Sequence, residues 1–396
     1  MAMDFVPPAW AAWRGGLPST PFTLGIEEEV MLLDASDWSL AYAADDVMAD
    51  LSPDLRERVG LETHAAVMEL ATGIHHRVED AVTELATLRA RLSAALAPRG
   101  LRAASAGTHP TAVWRDSVVS SHPRYRAIEE STRVLARREP TLAMHVHVGV
   151  PTPHAAVQVA NRIRVHLPLL LALSANSPYW QGRATGFAST RPSVFGAFPR
   201  SGLPRRFRSY RDWTETVDLM IRSGAIPDSS YLWWDVRLQP RFGTVEIRIM
   251  DAQTRIEDVA AIAALVQALV RVELQTPLAS PWHTEASEII QENRFLAARD
   301  GMEALLIDPE SGNRVPAVEL LDSVLEACVP HAEQLRSLPE LASARVLAAQ
   351  NGAARQRAVG RDGDLRALTA ELASAFSPAG VAKASVGEPA LPAYPA

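Results

Sequence analysis

Three segments of this 396-residue chain alternate apolar and polar residues, and each carries two ionisable side chains two positions apart. The segments cover residues 22–34, 141–150 and 242–251. The paired side chains are Glu27 with Glu29, His145 with His147, and Glu246 with Arg248. Because residues i and i+2 of a strand point to the same face, each segment is predicted to form a strand with one apolar face and one charged face.

Several other segments place apolar residues at three- and four-residue spacing, which predicts amphipathic helices. These segments cover residues 79–97, 154–173, 256–274, 285–299, 316–328 and 365–376. Helices mixed with strands, without regular strand–helix–strand units, predict the α+β class. We therefore expect one antiparallel sheet that has helices on its apolar face and a charged cavity on the other face.

The two ends of the chain differ in composition from the part between them. Residues 1–20 are rich in Pro, Trp and Gly, and we expect them to form an N-terminal cap. Residues 377–396 are rich in Pro, Ala and Gly, which is typical of a disordered tail. Residues 21–376 contain no internal repeat and no long linker, so they are predicted to fold as a single domain.

The charged strand faces need an explanation, although antiparallel strands often expose a polar face simply to solvent. Two like unit charges about 4 Å apart repel by about 4 kcal/mol at an effective dielectric constant near ~20. Dense carboxylates therefore need protons, arginine partners or cations, and a carboxylate-rich site that includes histidine favours Mg²⁺ or Mn²⁺ over Zn²⁺. Glu28 points with the apolar residues, for which a sheet edge or an arginine partner is the available explanation.

Two further regions carry candidate functional residues. Glu62 and Glu69 are seven positions apart, so they share a site only if they lie on one helix face or if the chain bends between them. Residues 181–211 interleave aromatic residues with arginines that include Arg183 and Arg191. Because guanidinium groups match carboxylates and phosphates, this segment is interpreted as a lid over an anionic substrate. The alternatives are an arginine-rich surface loop and a site for single-stranded nucleic acid.

The composition limits the chemistry that the chain can perform. Lysine and arginine total 39, and Lys383 is the single lysine, in a tail without a phosphate-binding glycine loop. An anionic substrate must therefore be held by arginine, histidine, backbone N–H groups or metal. A net charge of −7 argues against a nucleic-acid partner. One cysteine, no secretory signal and no apolar stretch of bilayer length predict a soluble cytoplasmic protein without a membrane partner.

Seven motifs along the chain follow the order found in a known enzyme family. They are Gly25-Ile-Glu-Glu-Glu29, Met144-His-Val-His-Val148, Ser174-Ala-Asn-Ser-Pro178, Trp234-Asp-Val-Arg237, Thr244-Val-Glu-Ile-Arg248, Glu292-Asn-Arg-Phe with Ala298-Arg299, and Asn351-Gly-Ala-Ala-Arg-Gln-Arg357. From about residue 22 to 376 the chain resembles the carboxylate–amine ligases of the glutamate–cysteine ligase type 2 family. The resemblance implies a glutamine-synthetase-like catalytic domain, in which a curved antiparallel sheet carries helices on its convex face and the active site on its concave face.

The resemblance also implies a reaction and its cofactors. ATP would activate a carboxylate, the γ-carboxyl of L-glutamate, as an acyl phosphate, and an amine, L-cysteine by default, would displace the phosphate. Two or more Mg²⁺ or Mn²⁺ ions would take part. A homodimer that acts on small-molecule substrates is the expectation for the family.

Site residues follow from the resemblance by position. For the ion that bridges the nucleotide phosphates, the resemblance implies the ligands Glu27, His145 and Glu246. For the ion or ions nearer the substrate carboxylate, it implies Glu29, Glu62 and Glu69. For the catalytic arginine that contacts the transferring phosphoryl group, it implies Arg248. Further expected substrate contacts are Arg183, Arg191, Arg237 and His147.

One departure from the family concerns the acceptor. The family usually has Cys-Gly where this chain has Leu142-Ala143, and the methyl group of Ala143 is expected to narrow the floor of the site. The identity of the amine is therefore left open. Two other functions remain alternatives on the sequence: a metal-dependent hydrolase that uses the His-x-His strand, and a catalytically inactive nucleotide-binding scaffold.

Overall fold

A seven-stranded antiparallel sheet forms the centre of the computed structural model, which describes residues 5–14, 21–138 and 140–377. The strand order is β10-β11-β5-β1-β3-β2, and β4 pairs with the far end of β1. The seven strands are β1 (Leu24–Asp34), β2 (Val59–Leu61), β3 (Val67–Ala71), β4 (Leu101–Ala104), β5 (Met144–Gly149), β10 (Val236–Gln239) and β11 (Thr244–Ile247). The three segments predicted as strands are β1, β5 and β11, although β5 and β11 are shorter than the alternating sequence indicated.

Three small two-stranded sheets lie outside the central one. Their strands are β6 (Tyr179–Trp180) with β7 (Arg183–Ala184), β8 (Ser201–Gly202) with β9 (Trp233–Trp234), and β12 (Leu305–Ile307) with β13 (Arg314–Pro316). Strands β7 and β8 lie within the arginine-rich segment of residues 181–211, which therefore has structure of its own.

Several of the helices cover the apolar face of the central sheet. The helices are α1 (Ala44–Asp50), α2 (Pro53–Arg56), α3 (Val78–Leu96), α4 (Pro123–Thr132), α5 (Pro153–Ser174), α6 (Arg191–Phe195), α7 (Tyr210–Arg222), α8 (Ile256–Gln275), α9 (Pro281–Glu285), α10 (Ser287–Asp300), α11 (Ala317–Leu335), α12 (Leu338–Ala349), α13 (Gly352–Val359) and α14 (Leu365–Phe376). Helix α3 packs on β1 and β3, α5 packs on β10 and β11, and α8 packs on β5. The α+β prediction and each predicted helix are confirmed, with α11 extending to Leu335.

Helix α8 shows why the helices form two layers. Most of its residues between Val259 and Val272 are buried on every side, because the helix lies between the sheet and the outer helices α11 and α12. An amphipathic stripe would not suffice in that position, and the sequence there is apolar all round. The layer holds the sheet in place while the opposite face remains available for polar groups.

A buried ion pair accounts for Glu28, the residue that broke the alternation of β1. Its carboxylate faces the helices and accepts hydrogen bonds from the guanidinium of Arg89 in α3, with 2.8 Å between Oε2 and Nε. Glu28 is fully buried and Arg89 is 1% exposed. The arginine partner is therefore the correct explanation, and β1 is an inner strand rather than an edge strand.

The two predicted terminal regions are only partly described. Residues 5–14 include one turn of 3₁₀ helix, Ala9–Ala11, and they pack against α7, where the Trp10 ring centroid lies 5.5 Å from that of Trp213. The predicted tail, Lys383 included, lies outside the described residues beyond Ser377. Within the described part of the chain, no helix combines the length and the hydropathy needed to cross a bilayer.

Candidate active site

Cross-strand register assembles the ionisable residues on one face of the sheet. Glu27 of β1 lies directly opposite His145 of β5, and Glu29 lies opposite Glu69 of β3. Glu246 of β11 lies opposite His147 on one side and opposite Arg237 of β10 on the other. Residues that are directly opposite in an antiparallel pair point to the same face, so four neighbouring strands besides β1 contribute to one charged surface.

This surface is the floor of a cavity of about 680 Å³, a volume typical of small-molecule sites. Its lining includes most of the residues predicted for the site, namely Glu27, Glu29, Glu62, Glu69, His145, Arg237 and Arg248. Aromatic side chains form much of the remaining wall, namely Trp10, Tyr125, Phe195, Phe198, Trp233 and Phe242. The cavity thus combines a charged floor with aromatic walls.

A bend brings Glu62 and Glu69 to the same cavity. Strand β2 ends at Leu61 and β3 begins at Val67, so the chain reverses between the two glutamates. Of the two possibilities that the sequence left open, the bend is correct. The Oε2 atom of Glu62 accepts a hydrogen bond from the backbone N–H of Thr63 at 3.0 Å, which fixes the carboxylate at the turn.

Glu27, His145 and Glu246 form the first cluster of potential metal ligands, whose ligand atoms all lie within 4.8 Å of one another. The Nδ1 atom of His145 is 3.2 Å from Oε2 of Glu27 and 4.0 Å from Oε1 of Glu246. Burial acts to raise the pKa of Glu27, but the charge of His147 and hydrogen bonds from both histidines hold it well below its usual value. Glu27 therefore favours its ionised form.

Arginines surround Glu246 in the same cluster. Arg237 donates to both carboxylate oxygens, from Nε at 2.7 Å and from Nη2 at 3.0 Å, and Arg248 forms an ion pair with Oε1. Gln239 donates a further hydrogen bond at 2.8 Å. Although burial acts in the opposite direction, the two guanidinium groups hold the pKa of Glu246 well below its usual value.

The two histidines differ in their electrostatic surroundings. Burial and the neighbouring charge of Arg248 lower the pKa of His145 to about 4, so this imidazole is neutral and able to bind a cation. Burial also acts to lower the pKa of His147, but the carboxylates of Glu27 and Glu246 outweigh it and raise that pKa. The Nε2 atom of His147 lies 3.2 Å from Oε1 of Glu27.

Glu29, Glu69 and His145 form the second cluster of potential metal ligands, which shares His145 with the first. Burial and the charge of Glu62 raise the pKa of Glu29 to about 8. Burial and the carboxylates of Glu27, Glu62 and Glu29 raise the pKa of Glu69 well above its usual value. Burial also raises the pKa of Glu62, which lines the cavity but belongs to neither cluster.

These properties fit divalent cations. Several carboxylates that resist ionisation together would be stabilised by a cation placed between them, because like charges at such distances repel strongly. A donor set of carboxylate oxygens with one imidazole suits Mg²⁺ or Mn²⁺. The two clusters are therefore compatible with the predicted divalent ions, although the carboxylate of Glu246 is already paired with two arginines.

The predicted arginines occupy four different environments. Arg248 lines the cavity with Nη1 3.4 Å from Nδ1 of His145, and Arg237 is largely committed to Glu246. Arg191 is buried and donates to the backbone carbonyls of Arg248 and Ile249 at 3.0 and 3.1 Å, so it supports the backbone that directly follows β11 and carries Arg248. Arg183 lies exposed in β7 and is not among the residues that line the cavity.

A buried network behind Arg191 was not predicted. The carboxylate of Asp251 accepts hydrogen bonds from the backbone of Asn176 at 2.8 Å and from the hydroxyls of Ser177 and Ser189 at 2.7 and 2.9 Å. Arg191 approaches the same carboxylate at 3.9 Å. The motif of residues 174–178 was the available sequence signal, but it did not identify Asp251 as the partner.

The departure at Leu142-Ala143 has a different setting from the one expected. Leu142 is fully buried in a second apolar cluster with Met31 and Leu368. Ala143 is 3% exposed, and neither residue lines the cavity. The backbone N–H of Ala143 donates to Oε2 of Glu29 at 2.6 Å, so this position contacts the second cluster through its main chain.

The chain is similar in sequence to the members of a known family. The sequence profile of the glutamate–cysteine ligase family 2 matches residues 23–371. A protein of Rubrobacter xylanophilus provisionally named glutamate–cysteine ligase 2-1 is 40% identical over 367 residues, which cover 92% of this chain and 97% of that protein. A protein of Sorangium cellulosum provisionally named glutamate–cysteine ligase 2 is 38% identical over 348 residues, which cover 87% of this chain and 93% of that protein.

Two solved structures share the fold. The glutamate–cysteine ligase of Francisella tularensis in complex with AMP aligns with a TM-score of 0.69 at 13% identity, covering 91% of this chain and 90% of that chain. The bifunctional glutathione synthetase of Pasteurella multocida aligns with a TM-score of 0.65 at 15% identity, covering 90% of this chain. This chain spans about half (52%) of the length of that protein. These alignments confirm the predicted glutamine-synthetase-like fold.

Proposed function

Because the chain belongs to the glutamate–cysteine ligase family 2, we propose that it couples the γ-carboxylate of L-glutamate to an amine, with L-cysteine as the first acceptor to test. Membership of the family identifies it as an ATP-dependent carboxylate–amine ligase, as the motifs predicted. The identities of the carboxylate and the amine belong to the proposal.

The reaction proceeds in two steps. A carboxylate oxygen attacks the γ-phosphorus of ATP, and ADP leaves, which converts a poor leaving group into an acyl phosphate. The amine nitrogen then attacks the acyl carbon, inorganic phosphate leaves with the former carboxylate oxygen, and the nitrogen loses a proton. Divalent ions held by the two glutamate clusters would screen the charges of the phosphates and the substrate carboxylate from each other.

Side chains on the floor of the cavity would hold these reactants in place and stabilise them. Arg248 points into the cavity beside His145, where its guanidinium can neutralise charge that develops on the transferring phosphoryl group. Arg237 holds Glu246 in place through two hydrogen bonds. The aromatic wall, which includes Phe195 and Phe198 from the predicted lid segment, would limit the access of water that hydrolyses an acyl phosphate.

The observation that carries the proposal is the arrangement of the two clusters, which share His145 beside Arg248. Their residues Glu27, Glu29, Glu69 and His145 line one cavity, and Glu246 is fully buried next to them. This arrangement also bears on the hydrolase alternative. The neighbours of the His-x-His strand are glutamates and arginines, whereas a metallohydrolase barrel built on such a strand would add histidine and aspartate ligands from later strands. The metal ions, a cytoplasmic location and a homodimer stay predictions.

A coupled assay tests the proposal directly. Purified protein with ATP, Mg²⁺ and L-glutamate should release ADP only when a suitable amine is added, and mass spectrometry of a panel of amines should identify the amide. Cleavage of amides or esters with metal but without ATP would refute the ligase proposal.

Substitution of Arg248 tests its role. Arg248→Ala should lower kcat by about 10³-fold, because arginines that stabilise a phosphoryl-transfer transition state contribute at least that much. Arg345→Ala is the matched control, since Arg345 is half-exposed and pairs with Asp322 on the surface. Retained turnover in folded Arg248→Ala protein would remove Arg248 from the catalytic residues.

A further inference from the structure

Residues 9–14 form part of the wall of the active-site cavity, although they precede the region matched by the family profile, which begins at residue 23. The lining residues of this segment are Ala9, Trp10, Ala12 and Arg14. The role of a segment outside the family region cannot be transferred from the motifs, so it has to be worked out from its contacts in this chain.

The segment is fixed to the body of the protein. The indole N–H of Trp10 donates to Asp218 in α7 at 3.1 Å. The hydroxyl of Tyr210, at the start of α7, donates to the backbone carbonyl of Ala11 at 2.5 Å. The Trp13 ring meets the Tyr210 ring edge-on, with the centroids 5.9 Å apart. These contacts fix residues 9–14 as part of the cavity wall.

Its position relative to the two clusters is defined by the turn between β10 and β11. The backbone N–H of Arg14 donates to the carbonyl of Pro240 in that turn at 2.9 Å. On one side of Pro240, Gln239 donates to Glu246, and on the other side the Phe242 ring lies 6.1 Å from the ring of His147. The segment therefore adjoins the first cluster, while Glu69 of the second cluster lies on β3, on the other side of β1.

Two arginines are exposed at this end of the cavity. Arg14 and Arg241 both line it, and the Arg241 guanidinium lies 5.6 Å from the centroid of the Phe242 ring. Within residues 5–14, 21–138 and 140–377, neither side chain has an ion-pair partner. Both are cations at the end of the cavity where the first cluster would hold phosphates. One guanidinium group can donate two parallel hydrogen bonds to two phosphate oxygens.

We propose that residues 9–14 are the outer wall of the nucleotide part of the cavity. Arg14 and Arg241 contact the phosphates of ATP, and the Trp10 ring packs against the nucleoside, since every purine offers a face for stacking on an aromatic side chain. The inference rests on the proposed ATP-dependent function and adds the residues outside the two clusters that contact the bound nucleotide.

Calorimetry with MgATP tests the wall. Arg14→Ala and Arg241→Ala should each weaken MgATP binding by about three- to tenfold, as expected for a charge-assisted contact that is partly solvent-screened. Ala12→Glu, at an exposed position, should weaken it comparably by placing a negative charge beside the phosphates. Arg345→Ala should bind MgATP as the wild type does. In the coupled assay, KM for L-glutamate should stay unchanged in all four variants.

The outcomes separate this inference from the proposed function. Wild-type protein that binds MgATP and releases ADP in an amine-dependent way, together with unchanged MgATP affinity in the three wall variants, would overturn the inference alone. A rise in KM for L-glutamate without loss of MgATP affinity would overturn it too, by assigning the segment to the carboxylate end. Wild-type protein that does not bind MgATP would refute both.

Discussion

Arg89→Leu should destabilise the fold severely, although Arg89 lies behind the sheet and does not touch the cavity. The side chain is 1% exposed and donates to the fully buried carboxylate of Glu28. It also donates to the backbone carbonyls of Thr254 at 2.9 Å and Gln253 at 2.7 Å. Its guanidinium lies 4.5 Å from the centroid of the Phe376 ring, at the end of α14.

The size of the effect follows from what the substitution leaves behind. Glu28 would be a buried carboxylate without its counter-charge, which costs about 3 to 5 kcal/mol. The carbonyls of Gln253 and Thr254 would also lose a donor. The double variant Glu28→Leu/Arg89→Leu contains no buried charge, so it should recover most of that loss of about 3 to 5 kcal/mol. What remains is the cost of the carbonyls that lose a donor, about 1 to 3 kcal/mol each.

Urea denaturation monitored by circular dichroism measures both quantities. Arg345→Ala provides the control, because its ion pair with Asp322 is half-exposed on both sides and should contribute less than about 1 kcal/mol. If the free energy of unfolding of Arg89→Leu lies within about 1 kcal/mol of the wild-type value, the ion pair does not hold this part of the core together.

Three further predictions concern the site and its surroundings. The pKa of Glu29 is raised from 4.5 to about 8, so its contribution to stability is greatest below pH 4.5, declines as the pH rises and is gone above 8. In EDTA the urea midpoint should therefore fall between pH 4.5 and 8, and it should fall less steeply in Glu29→Gln and in wild-type protein with added Mg²⁺. An equal fall of the midpoint with pH in all three cases would contradict the raised pKa of Glu29. Arg191→Lys should lower kcat by about tenfold through loss of its carbonyl contacts, while the exposed Arg183→Ala should change KM for the carboxylate by less than about twofold in steady-state assays. Lys383→Ala should leave kcat and KM unchanged, and an altered value would place the tail in the reaction.

Local sequence patterns were sufficient to predict the charged face, because alternation within one strand decides which side chains point together. The spacing of Glu27 and Glu29 in β1 and of His145 and His147 in β5 therefore identified the face correctly. The helices could also be predicted from the sequence, since a buried stripe imposes the 3.6-residue period on α3 and α5.

Register between strands could not be read in this way. That Glu27 meets His145, 118 positions away, follows from packing of the whole sheet rather than from either segment. The same limit applies to Glu28 and Arg89, because alternation showed that Glu28 faced the core but did not show which arginine reached it. The cavity wall at Trp10 and Arg14 depends on contacts across about half the chain and left no local signal.

Strand β1 also acts as a ruler. It supplies one glutamate to each cluster from alternate positions, and alternate residues of a strand are about 6.6 Å apart along its axis. The distance between the two ligand sets is therefore set by the backbone of β1 rather than by side-chain rotamers. Side-chain substitutions can weaken either set, but a change in the distance between them would require an inserted residue or a bulge in β1, which would also turn Glu28 away from Arg89.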